Sequence, residues 1–223
     1  MAQFKLRGVR LRIPEAQLSP ALVRALENGR YERGESGALL RNLEAGDRVL
    51  DLGAGAGYVS SLAARVVGGE NVTAVEAAPD MLPVLRRNLN LNEAGEARVL
   101  HGAVVADDYP EEVVRFGVAN AFWSSRIGEA GKGGAVVEVP ALRFGALVEE
   151  MRPSVVVMDI EGGELDICQQ DWPDCVRLLI MEIHTRRYGP ADVKTMFDGL
   201  SRNGFTYMPW GTRGEVVVQQ RVR

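Results

Sequence analysis

The sequence predicts a mixed α/β fold built on a mostly parallel sheet, and three observations lead to that prediction. Strand-like and helix-like segments alternate from residue 47 onward, the pattern of parallel strands joined by right-handed helical crossovers. The segments 154–159 (SVVVMD) and 176–183 (VRLLIMEI) are almost continuously apolar, as expected of strands covered on both faces. A cluster of three glycines at 53–57 directly follows the first strand of the alternation.

Residues 1–46 are predicted to form an N-terminal extension that precedes the alternating pattern. Apolar residues recur with a period of two over 4–13, which indicates a strand pair or one bent edge strand. Pro20 is typical of a first helical position, and Gly29 of the end of that helix. The leucines at 39–43 indicate a second short helix. We expect this extension to lie on the lid or substrate side of the molecule.

Residues 47–223 are predicted to form the main domain. A closing strand pair around 211–214 places one antiparallel strand in the sheet. The predicted strands are 48–52, 71–76, 97–100, 154–159, 176–183, 205–209 and 215–220, and the predicted helices are 59–67, 79–90 and 190–202.

The alternation stops at about 104–140. Three short strand-like runs, 113–118, 122–127 and 135–139, are separated by glycine-rich turns, and they predict an inserted β-meander. An insertion of this length in a compact domain is often functional.

Composition and charge exclude several classes of protein. The chain has 223 residues, of which 46% are hydrophobic, so its core needs no disulfide or metal support. Its two cysteines, Cys168 and Cys175, are too few for a disulfide framework or a structural zinc site. The net charge of -4 and the absence of a long apolar run argue against nucleic-acid and membrane partners. We therefore expect a cytoplasmic protein.

The segment 51–57 (DLGAGAG) is the most informative stretch of the sequence. A strand that ends in glycines and leads into a helix lets the backbone approach a ligand closely. A dinucleotide-binding loop would need its third glycine at position 58, where this chain has the bulky Tyr58. A dinucleotide site is therefore a poor fit.

The same segment resembles, position for position, the acidic-x-Gly-x-Gly-x-Gly loop of class I S-adenosylmethionine-dependent methyltransferases. S-adenosylmethionine has no pyrophosphate, so such a loop needs only backbone proximity. Glu76 ends the second predicted strand, where a carboxylate can accept both ribose hydroxyls. We predict cofactor contacts from the glycine loop, the ends of the second and third strands, and a Tyr31–Glu32 lid. The residues are Tyr31, Glu32, Asp51, Gly53, Ala54, Gly55, Glu76, Ala77, Gly102 and Ala103.

A closer resemblance follows from the order of several segments. In this order they resemble the FkbM family of methyltransferases, most of which are O-methyltransferases, over about 29–184. The resemblance implies a Rossmann-like class I methyltransferase fold with a seven-stranded sheet. The segments are 28–32 (NGRYE), 51–60 (DLGAGAGYVS), 75–79 (VEAAP), 85–92 (LRRNLNLN), 139–142 (VPAL), 158–164 (MDIEGGE) and 181–184 (MEIH).

Ionisable side chains at two strand ends are the candidate catalytic groups. Asp159 and Glu161 follow one apolar strand, while Glu182 and His184 end the next, so all four should cluster beside the cofactor. We predict Asp159, Glu161 and His184 as the catalytic residues. His184, with an ordinary pKa of about 6.5, is the natural base for an acceptor proton, and Glu161 is the alternative.

Other roles for these side chains stay open at this stage. Asp159 and Glu164 could cap the next helix, and Glu182 and His184 could form a buried pair without a chemical role. A divalent cation held by Asp159, Glu161 and Glu182 is a further option that the sequence does not favour, and we expect no metal.

The sequence thus predicts an S-adenosylmethionine-dependent methyltransferase that modifies a hydroxyl on a small molecule, such as a sugar or secondary metabolite. The N-terminal extension and the insertion would form the acceptor pocket. Two alternatives are an N- or carboxyl-methyltransferase on the same scaffold and a non-catalytic S-adenosylmethionine-binding module. The sequence leaves the presence of a homo-oligomer open.

Overall fold

The computed structural model describes residues 1–118, 126–127 and 135–222, and its elements are numbered in chain order. The strands are β1 (Ala2–Leu6), β2 (Val9–Ile13), β3 (Val49–Leu52), β4 (Val72–Glu76), β5 (Arg98–His101), β6 (Ala103–Val105), β7 (Val113–Val118), β8 (Arg126–Ile127), β9 (Ala135–Arg143), β10 (Val155–Met158), β11 (Leu178–Glu182), β12 (Phe205–Arg213) and β13 (Val216–Arg221). The helices are α1 (Pro20–Glu27), α2 (Arg33–Asn42), α3 (Tyr58–Val67), α4 (Leu82–Leu91), α5 (Phe144–Met151), α6 (Glu164–Cys168) and α7 (Pro190–Arg202), with 3₁₀ turns at Glu15–Gln17, Gly69–Asn71 and Pro79–Met81.

The central sheet has seven strands in the order β12-β13-β11-β10-β3-β4-β5, which confirms the predicted fold class. The five strands from β11 to β5 are parallel. Only β13 runs against them, because the terminal hairpin returns it antiparallel to both β11 and β12. The strand order reverses between β3 and β10, and parallel α/β sheets bind ligands at the carboxyl ends of strands beside such a reversal.

Helices cover both faces of the sheet, which explains why β10 and β11 read as nearly continuous apolar runs. One apolar core joins a sheet face to α1–α4 and the N-terminal hairpin, and the other joins the opposite face to α5, α6 and α7. All four residues of β10 are buried. No helix in the described part of the chain is long and apolar enough to cross a bilayer.

The N-terminal hairpin β1–β2 is antiparallel and is fixed to α4. The backbone N–H of Arg12 donates to Asn88 at 2.8 Å, and that of Arg10 donates to Asn92 at 2.8 Å. The helix α1 begins as predicted, with the Ser19 hydroxyl accepting the Leu22 N–H at 3.2 Å. The hairpin is therefore attached to the main domain through α4.

The predicted insertion forms a second sheet in the order β6-β9-β7-β8. In a plain meander β9 would pair with β8, its neighbour along the chain. Here β9 pairs antiparallel with β7 and parallel with β6. Of the predicted strand 122–127, only β8 is described, and 122–125 lie outside the described residues. The pairing with β6 joins this second sheet to the end of β5 and so to the edge of the ligand site.

Candidate functional site

A cavity of about 660 Å³ opens where β3, β4, β10 and β11 end, within the usual size range of small-molecule sites. The segment leading into α2 forms its opposite wall, and Phe116 of the insertion also lines it. The cavity brings together nearly all the predicted site residues: Tyr31, Glu32, Gly53, Gly55, Glu76, Ala77, Gly102, Ala103, Asp159, Glu161 and His184.

The glycine loop borders the cavity, and its backbone adopts conformations that favour glycine. Gly53 has φ of +89° and Gly55 has φ of +51°, in the left-handed region that L side chains disfavour. A Cβ on Gly53 would lie 1.8 Å from the carbonyl oxygen of Asp159. Because Gly53 has no Cβ, the loop after β3 and the loop after β10 can approach each other this closely.

Glu76 is a buried carboxylate that is held by backbone groups at the end of β4. Its Oε2 accepts the Gly55 N–H at 2.7 Å, and its Oε1 accepts the Ala78 N–H at 2.6 Å. Burial raises the pKa of Glu76 by more than the hydrogen bonds from Ala78 and Gly55 lower it, so the pKa of Glu76 lies above its ordinary value. Since each carboxylate oxygen can accept more than one hydrogen bond, both keep capacity for a ligand hydroxyl.

Two predicted cofactor residues, Asp51 and Ala54, do not line the cavity. Each is 3% exposed. The Asp51 side chain turns toward α3, where the buried Ser60 hydroxyl donates a short hydrogen bond to it. Their contact with a cofactor stays a prediction, and the Asp51 side chain packs against α3 because it lies within a strand that helices cover.

The Asp51–Ser60 contact predicts an unusual dependence of stability on pH. Burial outweighs the bond from Ser60 and raises the pKa of Asp51 to about 7. The folded state thus binds this proton more tightly than the unfolded chain, so the stabilisation is lost as pH rises through about 7. Asp51→Asn keeps an oxygen for Ser60 and removes the charge. In urea unfolding, we expect this variant to lose less stability than the parent between pH 5 and 8.

The control for that measurement is Asp51→Ala, which leaves the buried Ser60 hydroxyl without its acceptor. We expect Asp51→Ala to lower the free energy of unfolding by about 1–3 kcal/mol at pH 5 and by less at pH 8, because it too lacks the Asp51 charge. Equal pH slopes for the parent and for Asp51→Asn would contradict the assignment.

His184 lies at the centre of a network of three carboxylates. Its Nδ1 is 2.7 Å from Glu164 Oε1, while its Nε2 is 3.3 Å from Asp159 Oδ1 and 3.4 Å from Glu161 Oε1. Although burial lowers the pKa of His184, the hydrogen bonds with Asp159 and Glu164 raise it to about 11. At neutral pH the ring is therefore a cation. In that state it has no lone pair with which to accept a proton, and its role as the general base stays a prediction.

Glu164 is the fully buried anchor of this network. Besides contacting His184, it accepts the Tyr188 hydroxyl at 2.7 Å and the Gly162 N–H at 2.8 Å through Oε2. Burial raises the pKa of Glu164, but the bond from His184 outweighs it, so the net change is downward. Glu164 therefore holds His184 in place rather than capping α6, and the partner in the anticipated buried pair is Glu164 instead of Glu182.

Glu161 has a strained backbone at the edge of the same network. Its φ is +49°, and for a residue with a side chain such a conformation costs on the order of 1–3 kcal/mol. The conformation places the carboxylate 3.4 Å from His184 Nε2. Burial raises the pKa of Glu161, partly offset by His184. Strain of this kind is often concentrated at functional sites.

Comparison with known proteins identifies the family. A model of the methyltransferase FkbM domain matches residues 51–207. The chain belongs to the FkbM methyltransferase family. The match covers the glycine loop, Glu76 and the whole Asp159–His184 region, as the sequence resemblance predicted.

Other relatives of this FkbM protein are more distant. A segment of 72 residues is 35% identical to the mitochondrial ubiquinone biosynthesis O-methyltransferase of Schizosaccharomyces pombe, covering 31% of this chain and 26% of that protein. The alignment thus spans about a quarter of that curated relative.

Two solved structures share the fold of this FkbM protein. Precorrin-6y C5,15-methyltransferase from Geobacter metallireducens has a TM-score of 0.51 and 13% identity, over 95% of this chain and 93% of that one. The putative transferase PH0793 from Pyrococcus horikoshii has a TM-score of 0.52 and 13% identity, over 98% and 70%. At such low identity, these likenesses support the Rossmann-like methyltransferase fold alone.

Sequence reasoning missed one carboxyl in the site of this FkbM protein. Glu35 on α2 is 5% exposed and lines the cavity, and its side chain hydrogen-bonds Glu182. Burial and, to a smaller extent, the charge of Asp159 raise the pKa of Glu182 to about 8. The available signal was that Glu35 falls three and four positions before Ala38 and Leu39, on the buried face of its helix.

Asp159, Glu182 and His184 also bring metal-ligand atoms within 4.8 Å of one another. In this FkbM protein the set adjoins the ion pairs that His184 makes with Asp159, Glu161 and Glu164.

Proposed function

We propose that this protein is an S-adenosylmethionine-dependent O-methyltransferase that acts on a hydroxyl of a small molecule, such as a sugar or secondary metabolite. The observation that carries the proposal is the cavity itself. It joins the glycine loop and Glu76 to the carboxylates and imidazolium at the ends of β10 and β11. Family membership supports methyl transfer, and the S. pombe relative is an O-methyltransferase by name.

The residues present suit S-adenosylmethionine. Gly53 leaves backbone free where a side chain would collide with Asp159, and Glu76 offers both carboxylate oxygens beside the glycine loop. Gly102 and Ala103 border the same cavity next to Ala77 and would contact the adenine edge. When bound, the cofactor supplies a methyl group whose carbon–sulfur bond breaks with the electron pair left on sulfur.

The protein's own contribution is positioning and electrostatics. Asp159 and Glu161 carry negative charge at the strand end, and His184 holds both in fixed places. Oriented binding alone can supply about 7–11 kcal/mol of a reaction barrier. In this proposal the N-terminal extension, residues 1–46, forms the substrate side, with Tyr31 and Glu32 closing the wall and Phe116 of the insertion facing them.

Calorimetric titration with S-adenosylhomocysteine tests the cofactor. We expect micromolar binding, no binding of NAD, and the same affinity with Mg²⁺ or after chelation. Glu76→Gln should weaken binding at least tenfold, because one ribose hydroxyl would lose its charged acceptor, and charge-assisted bonds are about twice as strong as neutral ones. The exposed Glu96→Gln is the control and should bind like the parent. Binding of NAD instead would overturn the cofactor assignment.

An acceptor screen with labelled methyl donor tests the reaction. Label should pass to sugars or other hydroxyl compounds. Transfer only to amines or carboxylic acids would favour an N- or carboxyl-methyltransferase on the same scaffold. Binding of S-adenosylhomocysteine without transfer to any acceptor would favour a non-catalytic module.

A further inference from the structure

One side chain from the N-terminal extension enters the reactive end of the cavity, although the family match begins only at residue 51. Glu35 on α2 is buried, and its carboxyl hydrogen-bonds that of Glu182 at the end of β11. Glu182 in turn lies within 4.8 Å of Asp159 and His184, measured between their polar atoms. The extension therefore contributes a titratable side chain to the cavity as well as part of its wall.

The contact between Glu35 and Glu182 requires a proton. An ionised carboxylate only accepts hydrogen bonds, so two carboxyl groups can bond to each other only when one is protonated. At the pH where this fold is stable, the pair therefore holds one proton between two groups. Such a pair can still accept a second proton.

We propose that Glu182 is the catalytic base of the methyl transfer and that Glu35 is the positioning residue that shares its proton. This inference rests on the proposed function. As the acceptor oxygen bonds to the methyl carbon, its proton passes to the free oxygen of Glu182, and the proton that Glu182 shares moves to Glu35. Both carboxyls are then protonated, and one proton returns to water after product release.

The other groups of the cavity are less suited to this role. His184 is a cation, Asp159 and Glu161 are both paired with it, and Glu76 is engaged by two backbone N–H groups. Of the residues that the structure describes, the charged groups that line the cavity with the pair are five acids and four bases, so retention of the shared proton rests on burial and on the nearby charge of Asp159. They are Arg30, Glu32 and Arg33 before and at the start of α2, Asp159 and Glu161 after β10, His184 after β11, Glu76 at the end of β4, and Arg213 and Glu215 at the β12–β13 turn.

The surroundings also favour a pair that keeps one proton at neutral pH. Burial raises the pKa of Glu35, and burial together with Asp159 raises the pKa of Glu182 to about 8, which governs loss of the shared proton. The proton of the acceptor is then the second one that the pair takes up, and a general base contributes about 10²–10⁴-fold in rate.

The first test needs no acceptor. Side-chain carboxyls of [¹³C]glutamate-labelled protein are titrated by NMR with S-adenosylhomocysteine bound. We expect one carboxyl to titrate near pH 8 in the parent, to be missing in Glu182→Gln and to move to lower pH in Glu35→Gln. The control, Glu27→Gln, changes an exposed carboxyl of the same extension and should leave that signal in place. A Glu182 signal that Glu35→Gln does not move would overturn the inference.

The second test is a pH–rate profile with whichever acceptor the screen identifies. Glu182→Gln should lower kcat about 10²-fold or more. Glu35→Gln should move the acidic limb of the profile, where the base becomes protonated, to lower pH without changing KM for the methyl donor. Parent-like profiles for both variants would overturn the inference while leaving the proposed function intact. Loss of S-adenosylhomocysteine binding by the parent would instead count against the proposed function.

Discussion

Replacing Gly53 by alanine is expected to abolish S-adenosylhomocysteine binding and to destabilise the fold. The added Cβ would lie 1.8 Å from the carbonyl oxygen of Asp159, well inside contact distance, so the loops after β3 and β10 must separate. The backbone at φ of +89° adds a cost of about 1–2 kcal/mol for any L residue. Calorimetric titration measures the loss of binding, and urea unfolding measures the loss of stability.

Gly37→Ala is the matched control for Gly53→Ala. Gly37 lies inside α2 with ordinary helical dihedrals, and among the described residues no atom lies within 4 Å of an added Cβ. Because alanine restricts the unfolded chain, we expect Gly37→Ala to leave binding unchanged and to stabilise the protein by about 0.4–1 kcal/mol. Parent-like binding by Gly53→Ala would show that the two loops can separate without cost.

The glycine loop is the part of the site that the sequence predicts best. Its three glycines follow a strand directly, and only a close approach of backbone to ligand or to a neighbouring loop requires that pattern. Asp51 and Ala54 belong to the same motif but do not line the cavity, and their contact with a cofactor stays a prediction. A motif gives residue positions along the chain, whereas the direction of a side chain depends on which helix covers the strand.

Glu35 and the charge of His184 illustrate what the sequence does not contain. Glu35 reaches Glu182 from a helix almost 150 positions earlier in the chain, so no local pattern joins them. His184 has an ordinary pKa in any sequence-based argument. The three carboxylates that change it come from the loop after β10 and the start of α6. Protonation states follow from three-dimensional neighbours, and they decide which group can be the base.

In the secondary structure, too, some features follow from local sequence and others depend on segments that are distant in the chain. The apolar runs of β10 and β11 predict buried parallel strands, because a strand that helices cover on both faces carries apolar side chains on both faces. The order of the inserted sheet depends instead on β9 finding both β6 and β7, pairings between distant segments that strand periodicity alone does not specify.

Glu164→Ala is expected to be the most destabilising change in the site. Glu164 is fully buried, and its removal leaves His184, Tyr188 and the Gly162 N–H without their shared acceptor. Removing one partner of a buried ion pair costs about 3–5 kcal/mol, because the remaining charge is left uncompensated. Urea unfolding at pH 7 measures this loss. A change below 1 kcal/mol would contradict the role of Glu164 as anchor.

Glu164→Gln separates charge from shape at the same position. The amide keeps an acceptor for His184 but removes the negative charge, so the pKa of His184 should fall. A raised histidine pKa stabilises the fold at low pH, and that stabilisation is lost as pH rises through about 11 in the parent. In the variant the loss should be complete at a lower pH and should be smaller in total. NMR titration of the imidazole is direct, because the chain has only two histidines and His101→Asn removes the other signal.

These titrations also decide how His184 works. If the ring stays protonated through pH 8 in the parent, it fixes Asp159 and Glu161 by charge and cannot be the group that accepts the acceptor's proton. If it titrates near its ordinary value of about 6.5, the base assignment returns from Glu182 to His184. Because Glu164 contacts neither the glycine loop nor Glu76 in the described network, S-adenosylhomocysteine binding by Glu164→Gln separates the two functions. Retained binding with an altered His184 titration would place Glu164 in the positioning of charge and not in the capture of cofactor.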